Sequence, residues 1–151
     1  MTNRSRAFSF MMFSASLFFV FLSPLHAQGE RGLGQAPAAE QPGQKPTLTQ
    51  ATICEKVENL TPMRQSLVFS VSTGQVCCFT AFDPVPQAAQ IYHRWFHRDE
   101  LSTQIRLRLY PPKWATYSVI QLRETDKGPW RVEITDQNGN IYDVLRFSIT
   151  D

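Results

Sequence analysis

The sequence predicts an all-β domain: an immunoglobulin- or fibronectin-like antiparallel β-sandwich of about seven to eight strands, preceded by a signal peptide and a flexible linker. Three observations carry that prediction. Beyond residue 50, apolar and polar residues alternate with a period of two rather than at helical spacing. Turn residues punctuate the runs at short intervals. The stretch 51–151 is 101 residues long, enough for one hydrophobic core and too short for two. A small barrel is the alternative architecture.

The first 27 residues read as an export signal. Arg4 and Arg6 form a short positive region, Phe8 to Leu22 is almost wholly apolar, and Ser23-Pro24 breaks the run before a cleavage position at Ala27. About 15 apolar residues fall short of the roughly 20 that a spanning helix needs. The expected product is periplasmic or secreted, and it touches a membrane only through this segment if the segment is retained. No cysteine follows the run closely, which argues against a lipid anchor. Residues 28–50, rich in Gly, Pro, Gln and Ala, bury too little apolar surface to offset the entropy of ordering, and read as a tether.

Export changes the charge balance. The chain has 15 Lys+Arg against 13 Asp+Glu, and without Arg4 and Arg6 the count is 13 against 13. Bulk attraction to nucleic acid or to an anionic membrane is therefore not expected.

The domain, residues 51–151, opens with a strand at Ala51–Val57, and Asn59 to Pro62 (NLTP) reads as a loop. Asn59-Leu-Thr61 is a formal glycosylation sequon, but Pro62 follows it. A second strand is expected at Ser66–Thr73, with Ser72-Thr73-Gly74 a turn or bulge, and a third at Gln75–Phe82, stopped by Asp83-Pro84-Val85-Pro86, because proline cannot donate to a ladder. Gln90–His97 and Ser102–Tyr110 form a hairpin around Arg98-Asp-Glu100, closed off by Pro111-Pro112. Thr116–Arg123, Trp130–Asp136 and Ile141–Thr150 complete the set. Asn138-Gly139 favours a tight hairpin turn and sets Trp130 opposite Phe147 and Val132 opposite Leu145. That register turns Asp143 inward opposite Ile134, a sign of a bulge or a sheet end.

Three cysteines are present. Cys77 and Cys78 are adjacent on one strand and point to opposite faces, so one of them can meet Cys54. Cys77 shares its parity with Phe79 and Ala81, which read as core-facing, so the expected disulfide is Cys54–Cys78. The spacing fits no zinc module.

Candidate chemistry is sparse. His93 and His97 spell HxxxH, but on a strand four residues span about 13 Å, too far to ligate one ion. No nucleophile elbow is present, and no carboxylate pair stands out as an acid beside a base. Asp136 to Asn140 imitates a calcium loop, yet Ile141 stands where glycine is needed for the sharp turn. No catalytic residue, no metal and no cofactor are expected, and the chain does not read as an enzyme.

The sharper signal lies in the hairpin. With Ile91, His93 and Trp95 inward, a three-residue loop pairs them with Leu107, Ile105 and Thr103. The outer face then carries Tyr92, Arg94 and Phe96 beside Gln104, Arg106 and Arg108. Arginines interleaved with rings stack and present guanidinium forks to carboxylates, sugars or phosphates. The plainer reading is a solvated face whose arginine stems cover the rings. Trp114, after Pro111-Pro112-Lys113, is the candidate for an exposed indole.

Six segments together resemble a known family. They are AxxCxxVENLTP from Ala51, CCFT (Cys77–Thr80), HRWF (His93–Phe96), KWATYS (Lys113–Ser118), GPWRVEITDQNG (Gly128–Gly139) and LRFSI (Leu145–Ile149). In this order they resemble the bacterial exported or membrane-attached domain of unknown function 2914. The resemblance implies a compact β domain behind a membrane or linker segment and no established activity, and it lends no catalytic residue. The family pattern carries an arginine where Ala115 stands here. The functional expectation is an exported accessory or binding domain that recognises an envelope protein or glycan. The alternative is a structural module of the envelope with no ligand.

Overall fold

The computed structural model describes residues 43–151. The signal segment, and the tether as far as residue 42, lie outside the described residues. Among the described residues nine strands form two sheets. They are β1 (Leu48–Glu58), β2 (Thr61–Gln65), β3 (Val68–Ser70), β4 (Gln75–Phe82), β5 (Ala89–His97), β6 (Glu100–Leu109), β7 (Trp114–Gln121), β8 (Gly128–Asp136) and β9 (Ile141–Thr150). One sheet runs β2-β1-β4-β7 and the other β3-β9-β8-β5-β6. All pairings are antiparallel except β3 with β9.

The inner faces meet as alternation requires. Ile53, Val76, Cys78 and Phe82 come from the four-stranded sheet, and Ile91, Trp95, Trp130, Val132, Ile134, Phe147 and Ile149 from the five-stranded one. Phe147 is the centre of an aromatic group. Trp95 and Phe69 meet it edge-on at 6.1 and 6.0 Å, and Trp130 stacks on it at 6.2 Å. Each fully buried large side chain stabilises the fold by about 1.5–3 kcal/mol.

The expected register of the last hairpin is observed: Trp130 faces Phe147, Val132 faces Leu145, and a bulge follows the Ile134–Asp143 pair. The turn itself is not the two-residue kind expected. Asp136 accepts from the backbone N–H groups of Asn138 and Asn140 and holds a longer loop, in which Gly139 takes φ +84°. In the β5–β6 hairpin the pairs Ile91–Leu107, His93–Ile105 and Trp95–Thr103 are as expected. The loop is shorter than expected: Arg98 and Asp99 turn the chain, and a bulge after Trp95 absorbs the extra residue.

Three further expectations fail in whole or in part. First, β1 begins at Leu48, inside the stretch that composition assigns to the tether, and Thr47 is tied to Asp83 and Pro84 by backbone hydrogen bonds. Second, only the first half of NLTP is a turn: Asn59-Leu60 turns β1 directly into β2, with both residues at positive φ. The strand expected at 66–73 shrinks to Val68–Ser70, and the turn expected at Ser72-Thr73-Gly74 is present as a 3-10 turn at Val71–Thr73 with Gly74 at φ +79°. Pro62 is tolerated because β2 is an edge strand. Third, the cysteines are arranged otherwise. Cys54 lies directly opposite Cys77, while Cys78 lies opposite Ile53 and points into the sandwich core. The expected Cys54–Cys78 pairing is overturned because the core parity of β4 belongs to Val76, Cys78 and Phe82.

The apolar residues of β4 lie on both parities for a physical reason. The outer face of the four-stranded sheet is not open to solvent there. Cys54, Cys77 and Phe79 form a second buried cluster, packed with Val57, Ala81, Ala115 and Val119. Leu60, at the tip of the β1–β2 hairpin, lines one groove with Thr49, Ala81 and Trp114. Thr49 and Leu60 lie at opposite ends of β1, so the hairpin curls back over the sheet. Both faces of β4 are therefore covered, and both carry apolar residues.

Candidate functional site

The outer face of the five-stranded sheet is built by β9, β8, β5 and β6, and register arranges it in rows. Arg146, Arg131, Phe96 and Leu101 form one row. Val144, Glu133, Arg94 and Gln104 form the next. Then come Tyr92 beside Arg106, and Gln90 beside Arg108. Directly opposite residues of neighbouring strands share a face, so Arg94, Arg106, Arg108, Arg131 and Arg146 stand together, with Glu133 the carboxylate in their midst.

The arrangement is internally braced. Arg94 Nη1 donates to one oxygen of Glu133 at 3.3 Å, and Arg131 Nε donates to the other at 3.2 Å. Arg131 also pairs with Asp99 at the hairpin turn. The Arg131 guanidinium lies 4.0 Å from the Phe96 ring centroid and that of Arg94 lies 5.3 Å away. Phe96 is consequently buried, at 7% exposure, and offers no free ring. Gln90 donates to the Tyr92 hydroxyl at 2.6 Å. Arg94 Nε is buried and has no hydrogen-bond partner among the described residues. Arg106, Arg108 and Arg146 are exposed, and among the described residues no carboxylate lies within salt-bridge distance of them.

The structure thus brings Tyr92, Arg94, Phe96, Arg106 and Arg108 onto one face, as the alternation implies. It does not bring Trp114 there. Trp114 is the first residue of β7 in the other sheet, 39% exposed, with Tyr110 edge-on at 4.9 Å. Sequence reasoning missed Arg131, Glu133 and Arg146. Their parity follows from Trp130, Val132 and Phe147 facing inward, but the neighbourhood of β5 and β8 does not follow from either strand alone.

The histidines are separated in role. His93 is fully buried and braced between the sheets. The Trp95 indole N–H donates to Ser118 Oγ at 3.1 Å, and Ser118 Oγ lies 2.8 Å from His93 Nδ1. His93 Nε2 lies 3.3 Å from Thr80 Oγ1, whose hydroxyl donates to the Thr116 carbonyl at 3.4 Å. One assignment satisfies the whole chain: Ser118 donates to Nδ1, and a neutral imidazole donates from Nε2 to Thr80. Burial holds the His93 pKa down, at about 4. His97 stacks on Trp130 at 4.6 Å, with Nε2 3.2 Å from the Lys127 carbonyl. Among the described residues no cluster of three or more His, Cys, Asp or Glu is placed to hold a metal ion.

Strand order defines the class. The sheets β1-β4-β7 and β3-β9-β8-β5-β6 reproduce the A-B-E and A′-G-F-C-C′ arrangement of an immunoglobulin-like sandwich, with Trp95 as the buried tryptophan of its C strand. Residues 88–149 match the family described as "Protein of unknown function (DUF2914)", as the motifs imply; the segments at Ala51 and Cys77 lie outside the matched span. No curated protein matches the chain. An immunoglobulin-like protein from Pseudomonas aeruginosa, solved by crystallography, resembles it at 8% identity and TM-score 0.49, over 73% of this chain and 100% of its own.

Proposed function

We propose that this protein is an exported, tethered binding domain that captures an anionic envelope polymer or protein across the outer face of its five-stranded sheet. One observation carries the reading: among the described residues five arginines share that face with Glu133 in their midst and Asp99 at its edge, although the chain without its signal segment has no net charge. Such segregation on one rigid face focuses field on a ligand. The division of labour supports it. Arg94 and Arg131 are held by Glu133 and Phe96, whereas Arg106, Arg108 and Arg146 have no carboxylate partner among the described residues and present their forks to carboxylates or phosphates. The unpartnered Arg94 Nε adds a buried donor at the centre of the same face. A sheet face holds these groups in fixed register, which limits the entropy lost on binding.

The experiment is retention on immobilised polyuronate and polyphosphate, with uncharged dextran as the control. The wild-type chain is retained on the anionic matrices and released by salt. The Arg106→Ala, Arg108→Ala, Arg146→Ala triple variant loses retention at least tenfold while keeping its circular dichroism. Equal retention of the two would remove this face as the site.

A further inference from the structure

We propose that Cys54 and Cys77 form a cross-strand disulfide beneath the β1–β2 hairpin, made by exchange with a disulfide-bearing oxidant, while Cys78 remains a thiol. The inference stands on the geometry of β1 and β4 and is independent of the arginine face.

Cys54 and Cys77 are directly opposite residues of an antiparallel pair. Such pairs hold their Cα atoms about 4.5–5.5 Å apart, inside the roughly 4.4–6.8 Å window that a disulfide spans. Both side chains leave the same face of the sheet and share one small cluster with Phe79. The alternatives are excluded by direction. Cys78 is opposite Ile53 and lies in the other cluster, among the residues between the two sheets. The F strand, β8, offers Val132 and Ile134 at its core positions and no second cysteine. A vicinal Cys77–Cys78 bond would have to join side chains on opposite faces of a strand.

The chemistry balances without a cofactor. The Cys77 thiolate attacks one sulfur of the oxidant, expels one thiolate and leaves a mixed disulfide on Cys77. The Cys54 thiolate then attacks the Cys77 sulfur and expels the second. Two thiol protons leave, and two electrons pass to the oxidant, which departs as two thiols. The pair is disposed for that order, because the neighbouring Cys54 thiol holds Cys77 below the ordinary thiol range, whereas Cys77 beside it and burial push Cys54 up. Both sulfurs are buried, Cys54 at 0% and Cys77 at 1% exposure, so exchange precedes closure of the hairpin or requires its opening.

The test uses the full chain, reduced, unfolded, and refolded with excess oxidised glutathione, then alkylated in urea with N-ethylmaleimide. One alkylation per chain is expected, on Cys78, together with a Cys54–Cys77 linked peptide after digestion. The Cys78→Ala variant should show none, and Cys77→Ala should keep two. Oxidation of the folded, reduced chain should be at least tenfold slower than oxidation during refolding. Three alkylations in the wild type, a lasting glutathione adduct, or a linkage of Cys78 to either other cysteine would each overturn the proposal.

Discussion

Acidification should unfold this domain through His93. The imidazole is fully buried, and its neutral Nε2–H form completes the chain from Trp95 through Ser118 to Thr80. A proton added at Nδ1 would leave the Ser118 hydroxyl without its acceptor and place a charge in the core. Burial holds the folded pKa at about 4, against 6.5 when exposed. Between those values the unfolded chain binds a proton that the folded chain refuses. Stability is therefore full above about pH 6.5, falls as the pH falls, and levels off below about pH 4 with respect to this group. The slope is about 1.4 kcal/mol per pH unit and the ceiling about 3 kcal/mol. Urea unfolding of the wild type and His93→Gln, from pH 7.5 to 4.5, isolates the effect, since other carboxylates titrate in both. The wild type should lose about 2 kcal/mol more than the variant between pH 6.5 and 4.5. Parallel curves, or an NMR titration of His93 in the folded chain with its midpoint above pH 6, would rule out His93 as the acid-sensitive group.

Glu133→Gln removes the carboxylate that braces Arg94 and Arg131. It should cost about 1 kcal/mol or less in urea unfolding, because Arg94 is partly solvated, and tighten polyanion binding roughly fivefold at low salt, read by titration calorimetry. Gly139→Ala meets no atom within 4 Å but must adopt φ +84°, so it should cost about 1–2 kcal/mol and lower the melting temperature without changing ligand binding. Oxidation across Cys54 and Cys77 closes a loop of about two dozen residues and should add about 3 kcal/mol to stability, read as a higher urea midpoint than that of the reduced chain.

Most of the strand pattern was legible because alternation and turn residues act locally. The last hairpin follows from the apolar parity of Trp130, Val132, Leu145 and Phe147, and the bounds of Gln75–Phe82 follow from Gly74 before it and the prolines after it. Legibility failed where an element is covered on both sides. QVCCFTAF carries apolar residues on each parity because the β1–β2 hairpin covers the outer one. The inner parity was further obscured by Thr80 and Ser118, polar residues inside the core for the sake of His93. The arginine face was half legible. Tyr92, Arg94, Arg106 and Arg108 come from one hairpin, whose register local pairing reveals. Arg131, Glu133 and Arg146 join them only because β8 and β9 pair beyond β5, a non-local fact of topology. Phe96 is on the expected face, yet the guanidinium of Arg131, from β8, buries its ring.

The outer face of the five-stranded sheet is the proposed binding surface. Backbone and arginine side-chain NMR spectra of the isotope-labelled chain, recorded during titration with polyuronate, test it most directly. Shifts are expected only in β5, β6, β8 and β9, largest at the side-chain Nε–H signals of Arg106, Arg108 and Arg146 and reversed by salt. Shifts centred on Trp114 and the β1–β2 hairpin, or none at saturating polymer, would contradict it.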